Sequence, residues 1–173
     1  MRNQVLTFII LSGILFLIAG CSSSASKDEN IAHIEVVLEE VFTGPNGELA
    51  AIYKELESAS MEIIKSASKD FRMYYEENLK SYFTEQYYTK FINTNKASTF
   101  HGTAYRNGYR MKVKDMNIEQ NASSETAYDF SVNIGYKKEG NAGKSAEITG
   151  RVNVNEDGKI TRVLYHNGGE LFE

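Results

Sequence analysis

The chain of 173 residues has no tryptophan, one proline, one cysteine, three histidines and no long block of charge of one sign. Each shortage narrows what the protein can be. A lone cysteine closes no internal disulfide, so the folded part must be held by its core. His33, His101 and His166 stand in neither His-x-x-His nor His-Glu-x-x-His spacing, and no second ligand cluster joins them, which argues against a zinc site. No Gly-x-Ser-x-Gly occurs, so a serine hydrolase elbow is disfavoured. A net charge of −4 without a basic stripe argues against nucleic-acid binding. What remains is an ordinary globular composition, unusual only in its 11 tyrosines.

The one cysteine, Cys21, sits where an apolar run stops and a serine run begins. Arg2 and the amino terminus form a short positive region, Val5 to Ile18 is almost purely apolar, and Ala19 and Gly20 are small. That is the secretory pattern, and the run is short for a membrane span of ~20 apolar residues. Ile18-Ala19-Gly20-Cys21 resembles the lipobox of bacterial lipoproteins, with isoleucine where leucine is commoner. The resemblance implies cleavage between Gly20 and Cys21, a diacylglycerol on the cysteine sulfur, and anchoring to membrane lipid on the extracytoplasmic face. The other readings are an ordinary secretory signal and an uncleaved anchor helix. Residues 1–20 are thus expected as a signal peptide and 21–30 as lipidated cysteine plus polar tether. Residues 31–173 are expected as a single domain, since removing 20 of 173 residues leaves 153, enough for a real core.

Within that domain the hydrophobic period changes once. Ile31, Ile34, Val37, Leu38, Val41 and Phe42 recur at helical spacing until Thr43 to Gly47 breaks it. A second helix is expected from about Glu48 to Lys69, on Leu49, Ile52, Tyr53, Leu56, Ile63, Ile64 and Ala67. Phe71, Tyr74, Tyr75, Leu79, Tyr82 and Phe83 continue a helical spacing, and Thr84 can cap a short helix carrying Tyr87, Tyr88, Phe91 and Ile92. Beyond that the period is two. Tyr128, Phe130, Val132, Ile134 and Tyr136 alternate with polar or small residues, as in a strand with one wet face. Tyr109, Met111 and Val113 alternate likewise, while Met116 and Ile118 fall one place out of phase, which predicts a bulge near Asp115. Ile148 to Val154 and Lys159 to His166 complete four strands. Arg106–Tyr109, Lys138–Lys144 and Asn155–Lys159 read as hairpin turns.

Helices first and antiparallel strands after them give an α+β domain, with the helices on one face of a meander. Helix, helix, the further helical stretch at Tyr82–Ile92 and then a curved, bulged sheet resembles the NTF2-like, or cystatin-like, fold. Together with the lipobox and Val41 to Leu49, it is similar to small Gram-positive lipoproteins that carry such a domain. The resemblance implies a cone-shaped sheet with a cavity under the helices. It implies no single activity, because the fold serves enzymes, binding modules and parts of secretion or conjugation machines.

Several motifs invite chemistry and have plainer readings. Asn153, Asn155, Asp157 and Gly158 match the first half of a calcium loop, but its twelfth position is Leu164, and Asp157-Gly158 is a hairpin signal by itself. Asp129 is the best carboxylate for an acid or base inside such a cone, yet its neighbours on that face look solvated. Tyr74, Tyr75, Tyr82, Tyr87 and Tyr88 crowd one region, as core or as cavity lining. His101 and His166 could meet across the sheet. Asn121 fits a glycosylation sequon in a turn. The expectation is therefore no catalytic, metal or cofactor residue, and lipidation at Cys21 as the assigned site. The chain is expected to be a non-catalytic, membrane-anchored interaction module with an envelope protein as partner. Envelope assembly, conjugation or exclusion are the roles the resemblance suggests. The rival is a small enzyme or ligand-binding protein that uses the cavity.

Overall fold

The computed structural model describes residues 22–169 and Leu171. The expected signal peptide, its cleavage site and Cys21 lie outside the described residues. Helix α1 spans Ser22–Phe42, α2 Gly47–Leu56, α3 Met61–Leu79, α4 Glu85–Asn93 and α5 Thr99–Arg106, with a 3₁₀ turn at Lys80–Tyr82. Four strands follow, β1 Tyr109–Gln120, β2 Ala127–Lys138, β3 Lys144–Val154 and β4 Ile160–Tyr165. They pair in chain order as one antiparallel, curved sheet. The helices pack on one face of it, which is the expected α+β arrangement.

The core follows from the two periods. Ile34, Val37, Leu38, Val41 and Phe42 form the buried stripe of α1. Tyr128, Phe130, Val132, Ile134 and Tyr136 turn inward from β2, while Asn133 is exposed. A shift of one residue would exchange those faces, so the register is held by burial. The bulge falls at Lys114, between Val113 and Asp115, and brings Met116 and Ile118 back to the helix side. Gly150 lies opposite Phe130, where a Cβ would come within 2.4 Å of the Phe130 ring and 2.2 Å of the Leu164 carbonyl oxygen. The ring uses the space a side chain would need.

Four local expectations differ from the structure. The helix expected at 48–69 is two helices, α2 and α3, separated at residues 57–60. The break has only Ser58 and Ser60 to mark it, and Ser60 N–H donates to Ser58 Oγ at 3.2 Å. Ile63, expected on the apolar face, is 43% exposed. Helix α5 has no counterpart in the helical spacing of the sequence, and Arg106–Tyr109 joins a helix to a strand instead of closing a hairpin. Finally, α1 includes Ser22 to Asn30, so the described part of the segment expected as a tether is helical. Four serines, Asp28 and Asn30 are weak helix formers, so this stretch is helical as an extension of the packed half of α1, which needs no new nucleus and no apolar stripe.

Candidate functional site

Two polar constellations are built by this packing. The first is buried. His101 on α5 is 0% exposed, between Tyr75 on α3 and the end of α1. Its Nε2 lies 3.0 Å from the Thr43 carbonyl oxygen, which can only accept, so Nε2 carries the proton. Nδ1 then accepts from the Tyr75 hydroxyl at 2.9 Å. Burial lowers the His101 pKa to about 4, against the opposing pull of the Thr43 and Glu40 backbone. Burial likewise raises the Tyr75 pKa far above its usual value. A neutral imidazole and a neutral phenol, both inaccessible, tie three helices together.

The second constellation is open. A cavity of about 890 Å³ lies beside β1, lined by the outward face of α1, the C-terminal end of α3 and the Gly44–Asn46 loop. Glu35, Glu39 and Glu40 of α1 and Glu77 of α3 line it, with Val36, Tyr82, Met111 and Met116 as apolar surface. Arg110, also in the lining, donates to the Pro45 carbonyl oxygen. A relay of hydrogen bonds sets one wall. Asn46 Nδ2 donates to the Tyr74 hydroxyl at 3.0 Å, and Tyr74 donates to Glu40 Oε1 at 2.7 Å. Asn46 is itself fixed, because its Oδ1 caps α2 by accepting from Leu49 N–H at 2.8 Å. Burial raises the Glu40 pKa, and the Tyr74 bond partly offsets this.

The sequence candidates fall elsewhere. Asp129 stands on the wet face, bonded by Arg151 at 2.6 and 3.0 Å and by Asn121 Nδ2 at 2.7 Å. Those bonds hold its pKa below the usual carboxylate range. It is a charged partner of a surface arginine and does not line the cavity. The loop at Asn155–Lys159 is a hairpin turn, with Gly158 at φ +71° and Lys159 N–H donating to Asn155 Oδ1 at 2.8 Å. His166 is exposed at the end of β4 and does not meet His101, which sits in the unexpected helix. Among the tyrosines, Tyr74, Tyr75 and Tyr87 are core, and Tyr82 and Tyr88 are half-buried. Of these, Tyr74 and Tyr82 line the cavity. Sequence reading missed the glutamates. Their signal was present, since Glu35, Glu39 and Glu40 lie opposite the apolar stripe of α1, but a charged outer face is what any surface helix shows.

No family model matches the sequence, and no curated protein matches it. Among solved structures the chain is similar to a crystal structure from Xanthomonas campestris pv. campestris named "putative polyketide cyclase". The TM-score is 0.37 at 12% identity, over 83% of this chain and 93% of that one. A likeness that slight carries no argument about activity. No helix among the described residues is long and apolar enough to cross a membrane.

Proposed function

We propose that the protein is a lipid-anchored, extracytoplasmic binding module without catalysis, held to the membrane through Cys21. Its recognition surface is the groove beside β1. The observation that carries this reading is where the space lies. Under the sheet, where an NTF2-like enzyme would hold substrate, Tyr75, Tyr128, Phe42 and Phe91 are among the largest fully buried side chains. The polar pair there, Tyr75 and His101, is sealed from solvent. The cavity of about 890 Å³ is at the edge of the sheet, where a macromolecule can reach it, and a smaller one of about 410 Å³ opens at the other end, beside Ile148 and the C-terminal turn at Gly168.

Two measurements test the reading. Cys21→Ala should accumulate as an uncleaved precursor and take up no lipid label; normal labelling of that variant would remove the anchor. A photo-reactive amino acid at Val36, which is 45% exposed in the groove, should cross-link an envelope protein in living cells. The same group at Asn133, on the wet face of the sheet, should not. Equal capture at the two positions, or none, would remove the groove as the recognition surface.

A further inference from the structure

The chemistry of the partner can be read from the sheet edges, given that the chain is a binding module. An open four-stranded sheet has two edges, each a row of N–H and C=O groups that the protein must cover or leave for another strand. This chain covers β4 with its own groups. Thr84 N–H donates to the Ile160 carbonyl at 3.0 Å. The Tyr87 hydroxyl accepts from Val163 N–H at 2.7 Å and donates to the Val163 carbonyl at 3.0 Å.

The first half of β1 is covered as well. Gly44 and Met111 exchange two backbone bonds of 3.0 and 2.7 Å, and Val113 N–H faces Thr43 Oγ1 at 3.4 Å. Past the bulge the cover stops. Met111 bonds outward, and Asn121 N–H donates inward to the Ala127 carbonyl at 2.8 Å. With one extra residue at Lys114, the alternation of an antiparallel ladder turns the N–H and C=O groups of Met116 and Ile118 away from β2. No hydrogen bond joins these groups to another described residue outside the sheet.

The groove lies along the covered half of β1, lined there by Arg110, Met111 and Val113, and reaches the uncovered run at Met116. Helix α1 runs antiparallel to β1. Its C-terminal end adjoins Met111 through Gly44, and Asn30, toward its other end, bonds the hydroxyl of Tyr128, the partner of Gln120. A strand added to β1 would therefore run past the outward face of α1. Glu35 and Glu39 are one helical turn apart, about 6 Å at 1.5 Å rise per residue. Side chains on one face of a strand recur every second residue, about 6.6 Å apart. The two spacings match.

The geometry points to β1, from Met116 to Gln120, as the docking edge for an extended segment of a partner protein carrying lysine or arginine at alternate positions. Backbone bonds to the edge supply affinity, and the glutamates select the side chains. A second copy paired edge to edge would bring two glutamate-lined grooves together, so like charges oppose that occupant.

The test uses the full chain in detergent micelles, panned against displayed random peptides of about twelve residues. Enriched peptides should carry basic residues at i and i+2 and should bind as extended strands. Ile118→Pro removes an outward N–H at an edge position, where proline leaves the β1–β2 ladder intact. It should weaken binding of those peptides at least tenfold. The exposed pair Glu35→Lys and Glu39→Lys should do the same, and it keeps the test decisive if the proline variant fails to fold. The inference is overturned if no such pattern is enriched, or if the enriched peptides bind the glutamate variant as well as they bind the unaltered chain. Cross-linking from Val36 in cells would still report a partner in that case, so the two failures can be told apart.

Discussion

Acid should weaken this fold through one imidazole. His101 is 0% exposed, and its proton sits on Nε2 because the Thr43 carbonyl needs a donor. Charging it would put a proton on Nδ1, against the Tyr75 hydroxyl. The folded pKa of about 4 lies below the 6.5 of a free imidazole. Between those values the unfolded chain binds the proton and the folded chain does not. Stability is therefore fully present above pH 6.5 and is lost as pH falls toward 4. At about 1.4 kcal/mol per pKa unit, the loss from this group is on the order of 2–3 kcal/mol between pH 7 and 4.5. Glu40, whose pKa is raised, acts with the opposite sign, because a raised carboxyl pKa favours the fold at lower pH. The comparison must therefore be with a variant that keeps Glu40. Urea unfolding of residues 22–173 at pH 7 and 4.5 should show a steep loss for the unaltered sequence. His101→Gln should start less stable at pH 7 and lose about 2–3 kcal/mol less between the two pH values. Parallel losses would refute the argument, since they would mean that His101 titrates alike in both states.

The inward register of β2 predicts a sharp contrast between neighbours. Val132→Ala should cost on the order of 1–4 kcal/mol, and Asn133→Ala should stay within about 0.5 kcal/mol in the same denaturant titration. If the asparagine proves the costlier change, the faces are exchanged. Gly150→Ala has no room for its methyl beside the Leu164 carbonyl and the Phe130 ring. It should cost on the order of 2–3 kcal/mol or more, and a neutral result would deny that Phe130 occupies that space. Calcium at millimolar concentration should leave the melting temperature unchanged, because Asn155–Lys159 is closed as a turn; a clear rise would overturn that.

Most of the architecture was legible because burial on one face leaves a periodic trace. The β1 bulge was visible as a phase slip between Val113 and Met116, and the strand faces of β2 as strict alternation. Helix α5 was not legible. Its buried residues, Phe100, His101, Gly102 and Ala104, include a histidine and a glycine, which break an apolar stripe even though both are buried. The α2–α3 break left only a pair of serines, and helical spacing on either side masks so short a turn. The groove was the least legible feature. Acidic residues on α1 and the outward bonds of β1 become a site only when packing sets them side by side. The carboxylate that alternation singled out, Asp129, had already found its partner in Arg151, two strand faces being enough to bring them together across β2 and β3.

The contact between α1 and the last hairpin bears on how the chain comes to be folded. Asn30 donates to the Tyr128 hydroxyl 98 residues away, and its Oδ1 sits where a Cβ on Gly158 would fall, at 2.5 Å. The hairpins of the meander close over short loops, but this junction closes over most of the chain, and such distant closures slow folding. Made, and in the proposed reading exported, amino end first, α1 has to wait for Tyr128 to follow it. Throughout that interval Ile34, Val37, Leu38, Val41 and Phe42 have no sheet to cover them. Among the described helices α1 is made first, yet its seat on the sheet is complete only when the last strands are in place.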